Sequence, residues 1–326
     1  MLFQTIASIS AFLAVVAGIE THGTPPVDFE VRLNGSDQAL TTGIKDTYEK
    51  AAARIALDRI VHQVEAKGIA NKCLNYTHAV GVDVDARNAT YQIKDCIIKE
   101  TEDERIFFNL LAEDVTESDV FWKQVVQESD LNMTSWIAAR ASVKAYYNGS
   151  LTALNFAGWT LSPYADLANL HANPEHYYKS TPSNATDTSS EILEGWGGVL
   201  STFGMKRTHF EVPSYKQPLF DGSDYPAAWG LNSTFPAALQ RAGLKQLSSD
   251  GTTFGVLHIA VRDLLPEETY EGNTGIEVYS AVWYPAWGAS SEENREEFED
   301  KYVQDEAEHM VVEIINLTLQ ARVDLS

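Results

Sequence analysis

Basic residues are scarce: 24 Lys and Arg face 46 Asp and Glu in 326 residues, a formal net charge of −22. A surface of that sign repels a phosphate backbone and no basic cluster offsets it, which excludes nucleic-acid binding. Polybasic attachment to an acidic leaflet is excluded with it. Cysteine is scarcer, with Cys73 and Cys96 only and no Cys-x-x-Cys spacing, so a reactive or metal-binding thiol pair is disfavoured. No apolar run reaches membrane-spanning length, since the run from Ile6 to Val16 ends well short of it. The familiar catalytic signatures are also missing: no Gly-x-Ser-x-Gly, no Gly-x-x-x-x-Gly-Lys, no His-Glu-x-x-His and no dinucleotide fingerprint. No repeat of solenoid or propeller period is present.

What is present is a globular chain with an address. Hydrophobic residues make up 44% of it, enough for a substantial core. The short apolar run followed by Ala17 and Gly18 reads as a signal peptide over residues 1–18. Eight Asn-x-Ser/Thr sequons, at Asn34, Asn75, Asn88, Asn132, Asn148, Asn184, Asn232 and Asn316, support passage through the secretory lumen. Chance would supply about two. A secreted or vesicular glycoprotein is expected, with the sequons marking outer surface, Cys73 paired to Cys96 and no stable membrane insertion after leader removal.

Apolar residues recur at helical spacing from Ile44 to Lys67, with Gly68 as the stop. Helices are also predicted over 102–111, over 117–127 after a Thr116 cap, and over 135–147. Residues 80–98 mix Val, Tyr and Ile with turn residues and read as a β-hairpin inside the cysteine loop. Strand patterns follow a polar connector at 180–190: they cover 191–203, 207–212, 252–263 and 275–284, with an irregular stretch from Pro213 to Leu247 between the second and third. A helix over 292–322 ends the chain. The expected fold is α+β: N-terminal helices (19–190), then an antiparallel sheet, a roll or half-barrel, closed by a C-terminal helix (191–326), as two halves or one domain.

Alternation in the third strand pattern sets Phe254, Val256, His258, Ala260 and Arg262 on one face. An imidazole beside a guanidinium on an apolar wall suits proton transfer with stabilisation of developing negative charge, so His258 and Arg262 are the catalytic candidates. An ordinary hydrogen-bonded His and an ion-paired Arg are the competing reading. Arg207, His209 and Glu211 alternate in the same way. His171 and His176 flank a short loop and, with Glu175, raise a metal site that polar loop packing explains as well; His309 and Glu313 share a helix face at i, i+4. No metal and no cofactor is expected. Gly195, Gly197 and Gly198 around Trp196 read as a bulged or twisted strand rather than a phosphate loop. Aromatic residues crowd the second half, and Trp196, Phe254, Trp283, Tyr284, Tyr177 and His209 are candidate lining for a small apolar ligand.

In this order of features, a glycosylated secreted chain with an aromatic-rich second half and no familiar catalytic motif, the protein resembles fungal natural-product pericyclases, the intermolecular hetero-Diels–Alderases of tropolone-sesquiterpenoid pathways. The resemblance implies loss of water from a hydroxymethyl precursor to give a quinone methide, and cycloaddition of that species to a polyene such as humulene. His258 would then aid dehydration and Arg262 would hold the oxygen that gains charge. A dehydratase or isomerase with His171 or His209 as base, and a secreted carrier of an apolar metabolite, are the alternatives. The oligomeric state is left open.

Overall fold

The computed structural model describes residues 27–34, 36–38, 42–78, 86–129, 137–182, 189–196, 198–208, 235–269, 272–285, 296 and 298–326. In chain order come β1 (Asp28–Leu33), β2 (Ser36–Gln38), α1 (Thr42–Lys67), α2 (Asn75–His78), α3 (Ala86–Thr101), α4 (Ile106–Leu110), α5 (Ala112–Glu128) and β3 (Ile137–Tyr147). Then follow α6 (Ala153–Thr160), α7 (Asp166–Ala172), β4 (His176–Ser180), β5 (Ser189–Trp196), β6 (Val199–Thr208), β7 (Gln240–Leu247), β8 (Thr253–Asp263), β9 (Thr274–Tyr284) and α8 (Gln304–Asp324). The strands form one antiparallel sheet ordered β2-β1-β3-β9-β8-β7-β6-β5-β4, so strands from both halves of the chain share it. The fold is α+β, and α8 closes the sheet: its Met310, Val311, Ile314 and Ile315 join Ala141, Val143, Ala145 and Val278 in the main apolar core.

The long α1 forms over the predicted range, but its buried stripe is offset from the apolar spacing, which leaves Ile55 exposed. Ala53, Ala56, Ile60 and Val64 are buried along one stripe, and Gly68, at φ +67°, ends the helix by donating its N–H to the Val64 carbonyl at 2.9 Å. Residues predicted as a hairpin around Cys96 are instead the helix α3. Ala89, Ile93 and Ile97 repeat at helical spacing and are buried, and the β-branched residues that suggested strands are the ones that pack against α1. The disulfide between Cys73 and Cys96 therefore joins a single 3-10 turn, Asn71–Leu74, to a helix rather than closing a hairpin.

Residues 135–147, predicted helical, contain β3. Alanine favours helix, but Ala139, Ala141, Val143, Ala145 and Tyr147 alternate onto the core face, and the strand lies between β1 and β9 with each edge paired. Tertiary pairing overrides the weak local preference. Thr116 lies within α5, its hydroxyl bonded to the Ala112 carbonyl at 2.8 Å, and is no cap. Gly195 sits in regular β5 pairing and Gly198, at φ +80°, makes the turn to β6, so the glycine cluster belongs to a hairpin rather than a bulged strand. The end of the supposedly irregular stretch is β7. Residues 1–18, the 209–212 end of the second strand pattern, His209 and most of the Pro213–Leu247 stretch lie outside the described residues.

The sequons divide. Asn75, Asn88 and Asn148 are exposed. Asn316 is turned inward from α8, donating to the Ala172 carbonyl at 2.8 Å and to Glu49 at 3.2 Å. Asn34 donates to Gln304 and accepts from the Arg140 N–H, each at 2.9 Å. These two amides hold the fold together and do not mark free surface. Asn132, Asn184 and Asn232 lie outside the described residues.

Candidate functional site

Alternation along the sheet and one stripe of α8 define a cavity of about 280 Å³. Its walls are Leu257, Ile259 and Val261 of β8, Val278 and Val282 of β9, Phe156 of α6, and Met310, Ile314 and Leu317 of α8. Ser190, Ile192 and Glu194 of β5, and Arg241, Gly243 and Lys245 of β7, reach it at every second position. On α8 the spacing of Glu306, His309 and Glu313 puts all three on the stripe that faces the cavity. The lining is thus largely apolar along β8 and β9, with Glu194, Lys245, Glu306, His309 and Glu313 gathered toward one end and Lys179 and Arg241 as further charged members.

That end is a connected group. Lys245 Nζ donates to Glu194 at 3.1 Å and to Glu306 at 3.4 Å, and lies 4.3 Å from the centre of the Trp196 ring. His176 and His309 meet through their Nε2 atoms at 2.8 Å, and Glu194 lies 3.5 Å from His176 Nε2. His176 Nδ1 is 2.8 Å from the Asn169 carbonyl; a carbonyl only accepts, so Nδ1 carries the hydrogen and Nε2 presents a lone pair. Asn169 also donates its side-chain amide to Glu313 at 2.8 Å. The loop entering β4 is fixed by Lys94 of α3, whose buried ammonium donates to the carbonyls of Leu170 and His176 at 2.7 and 2.8 Å. Burial without a bonded carboxylate lowers the Lys94 pKa to about 7.

Burial separates the protonation states in this group. It lowers His176 to about 4 and His309 below its usual value, so both rings are neutral at neutral pH. Desolvation raises Glu306 despite the attraction of Lys245. Glu194 is desolvated as well, but Lys245 and the two imidazoles more than offset this and hold it below the usual range. A carboxyl group pushed toward its acid form and one held toward its carboxylate form, flanking one ammonium, have the pieces of a proton donor, a proton acceptor and a positive charge.

The sequence candidates scatter around this site. His258 and Arg262 are on the opposite face of β8 from Leu257, Ile259 and Val261. His258 is buried, its ring 5.7 Å from that of Tyr279, and desolvation lowers its pKa to about 3. Arg262 is bound to Glu277 at 2.7 Å and to both oxygens of Glu268, and stands against the Phe235 ring. Neither faces the cavity, and Arg262 is the ion-paired residue of the competing reading. Phe254 does not share their face. A bulge opposite Lys245 and Gln246 adds one residue to β8, which turns Phe254 inward against Trp122, with ring centres 4.8 Å apart.

Tyr284 also turns inward, stacked on Trp122 at 5.5 Å, whereas alternation along β9 points Trp283 the other way. Trp196 borders the ionisable end through Lys245 and His309. Tyr177 accepts from Arg59 at 2.9 Å in the second apolar cluster, away from the cavity. His171 is bonded to Asp95 at 2.8 Å, so it does not join His176. His209 lies outside the described residues. Sequence reasoning missed Glu194, Lys245 and Glu306; Ser190-Ile192-Glu194 alternation signals the first and spacing with His309 the last, while nothing in the sequence marks Lys245. Only the fold brings β5, β7 and α8 together.

No protein-family model and no curated protein matches this chain. A solution NMR structure of a protein from Arthrobacter aurescens is 12% identical and covers 58% of this chain and 90% of its own, with a TM-score of 0.30.

Proposed function

We propose that this is a secreted small-molecule enzyme, a lyase or cyclase that takes an apolar partner into the cavity beneath α8 and reacts it at the ionisable end. The observation that carries this reading is the distribution of the lining, with aliphatic walls leading to Lys245, Glu194 and Glu306. Small-molecule sites are built this way, a largely apolar hollow with few converging polar groups. The elimination-and-cycloaddition chemistry of the pericyclases fits it. Glu306 donates a proton to a departing hydroxyl, which leaves as water, while Glu194 accepts the proton of the conjugated hydroxyl. Lys245 steadies the oxygen that gains charge, a role the sequence suggested for Arg262. The neutral quinone methide then adds across an alkene held against the aliphatic wall, where water is excluded.

The disulfide and the exposed sequons support a secretory address, and no helix among the described residues is long and apolar enough to cross a membrane. The experiment is incubation of the purified protein with a hydroxymethyl tropolone precursor and humulene, followed by chiral analysis of the adduct. One enantiomer in excess, with Glu306→Gln slowing turnover about 100-fold or more, is expected for a lost general acid. A racemic product at the uncatalysed rate overturns the enzyme. If the polyene binds under those conditions, the protein is a carrier.

A further inference from the structure

We propose that His176, His309 and Glu313 form a binding site for one divalent transition-metal ion of the zinc class, at the inner end of the cavity. The three side chains come from β4 and two successive turns of α8, and their donor atoms all lie within 4.8 Å of one another. Two imidazole nitrogens and a carboxylate oxygen are the donor set of open zinc sites, which keep a further position for water or substrate.

The geometry is close to what an ion needs. The two Nε2 atoms are 2.8 Å apart, and the edge of a tetrahedron with zinc–nitrogen bonds of about 2.05 Å is about 3.3 Å. A small rotation of either ring opens the pair to that spacing. The surrounding bonds are those of a held ligand set. The Asn169 carbonyl engages His176 Nδ1 at 2.8 Å, and the same residue's amide engages Glu313 at 2.8 Å. One residue thereby orients two of the three ligands, and outer partners of this kind are a recurring feature of metal-bound histidine. Glu194, 3.5 Å from His176 Nε2, lies beside the open side.

Charge points the same way. Glu194, Glu306 and Glu313 converge here, with Lys245 bonded to the first two and Lys179 attracting the third. A divalent cation adds positive charge where three carboxyl groups converge. The sequence separates these ligands into two unconvincing fragments, a His171/His176 loop and a His309/Glu313 helix face. The fold rejects His171 and joins the remaining three.

This inference does not rest on the apolar-ligand reading, and its test needs no substrate. Full-length protein is stripped with EDTA, given one equivalent of zinc chloride, gel-filtered and assayed for metal by mass spectrometry. One zinc per chain is expected, with the ring ¹⁵N signals of two of the eight histidines shifting on addition. Glu313→Gln and His309→Gln are expected to lose stoichiometric zinc. Asn169→Ala is expected to weaken it about 10- to 100-fold as an outer partner. His171→Gln is expected to retain it. Absence of zinc from folded wild-type protein overturns the site. So does zinc retained equally in the Glu313 and His309 variants, and so does the absence of the two-histidine shift. Humulene binding measured separately reports on the cavity, so either reading fails alone.

Discussion

Arg262 illustrates how a single residue type supports two chemistries until its neighbours are known. Its guanidinium is divided between Glu277 and Glu268, and Ser142 donates to the remaining Glu277 oxygen at 2.6 Å. The Arg262 hydrogen bond is the chief cause that holds the Glu268 carboxyl at about 2, well below its ordinary 4.5. A depressed carboxylate stabilises the fold fully above its unfolded pKa and loses that contribution as pH falls toward the folded value. Urea unfolding followed between about pH 5 and 2 is therefore expected to show wild type losing more stability than Glu268→Gln. The difference is about 1 kcal/mol, allowing for solvent screening of a partly exposed pair. Equal slopes for the two proteins would show that the pair contributes nothing. At this scale the sequence was legible only as a choice, because Arg262 alone does not reveal whether carboxylates or a ligand will meet it.

Elements were legible where their pattern was long. The helix α1, strands β8 and β9 and the closing helix α8 all form close to their predicted ranges, although β8 and β9 are buried on both faces and a bulge interrupts the alternation of β8. The failures lie where tertiary partners decide. In β3, alanines that favour a helix are drawn into pairing on both edges; in α3, β-branched residues that favour a strand pack on α1. Gly275 shows how tightly the β3–β9 pairing is drawn. A Cβ built there meets the Ala145 carbonyl oxygen at 2.2 Å and Leu264 Cδ1 at 2.7 Å. The carbonyl belongs to backbone and cannot swing aside. Gly275→Ala is therefore expected to destabilise the protein by about 1–3 kcal/mol, the usual range for overpacking. Thermal or urea unfolding measures it, and an unchanged midpoint would mean that the two strands separate more easily than their pairing implies.

For the molecule as a whole, the sheet separates two environments that adjacent residues of one strand enter in turn. A single bulge at Phe254 shifts that alternation by one, so reading the face of His258 from Phe254 gives the wrong side. Leu257 and His258 are neighbours in sequence, yet Leu257 lines the cavity and His258 packs beside Tyr279 on the other face. The site could not be assembled from sequence for the same reason: Glu194, Lys245 and Glu306 become neighbours only when β5 and β7 share an inner face under α8. Substituting each neighbour tests this directly. Leu257→Trp adds an indole to a cavity of about 280 Å³ and is expected to abolish binding of an apolar probe such as humulene while the protein stays folded. His258→Gln keeps a polar side chain of moderate size on the opposite face and is expected to leave the same affinity within twofold. Circular dichroism and unfolding midpoints confirm that both variants are folded, and titration with the polyene gives the affinities. Loss of binding in His258→Gln with retention in Leu257→Trp would place the ligand on the other side of the sheet and return His258 to the centre of the chemistry.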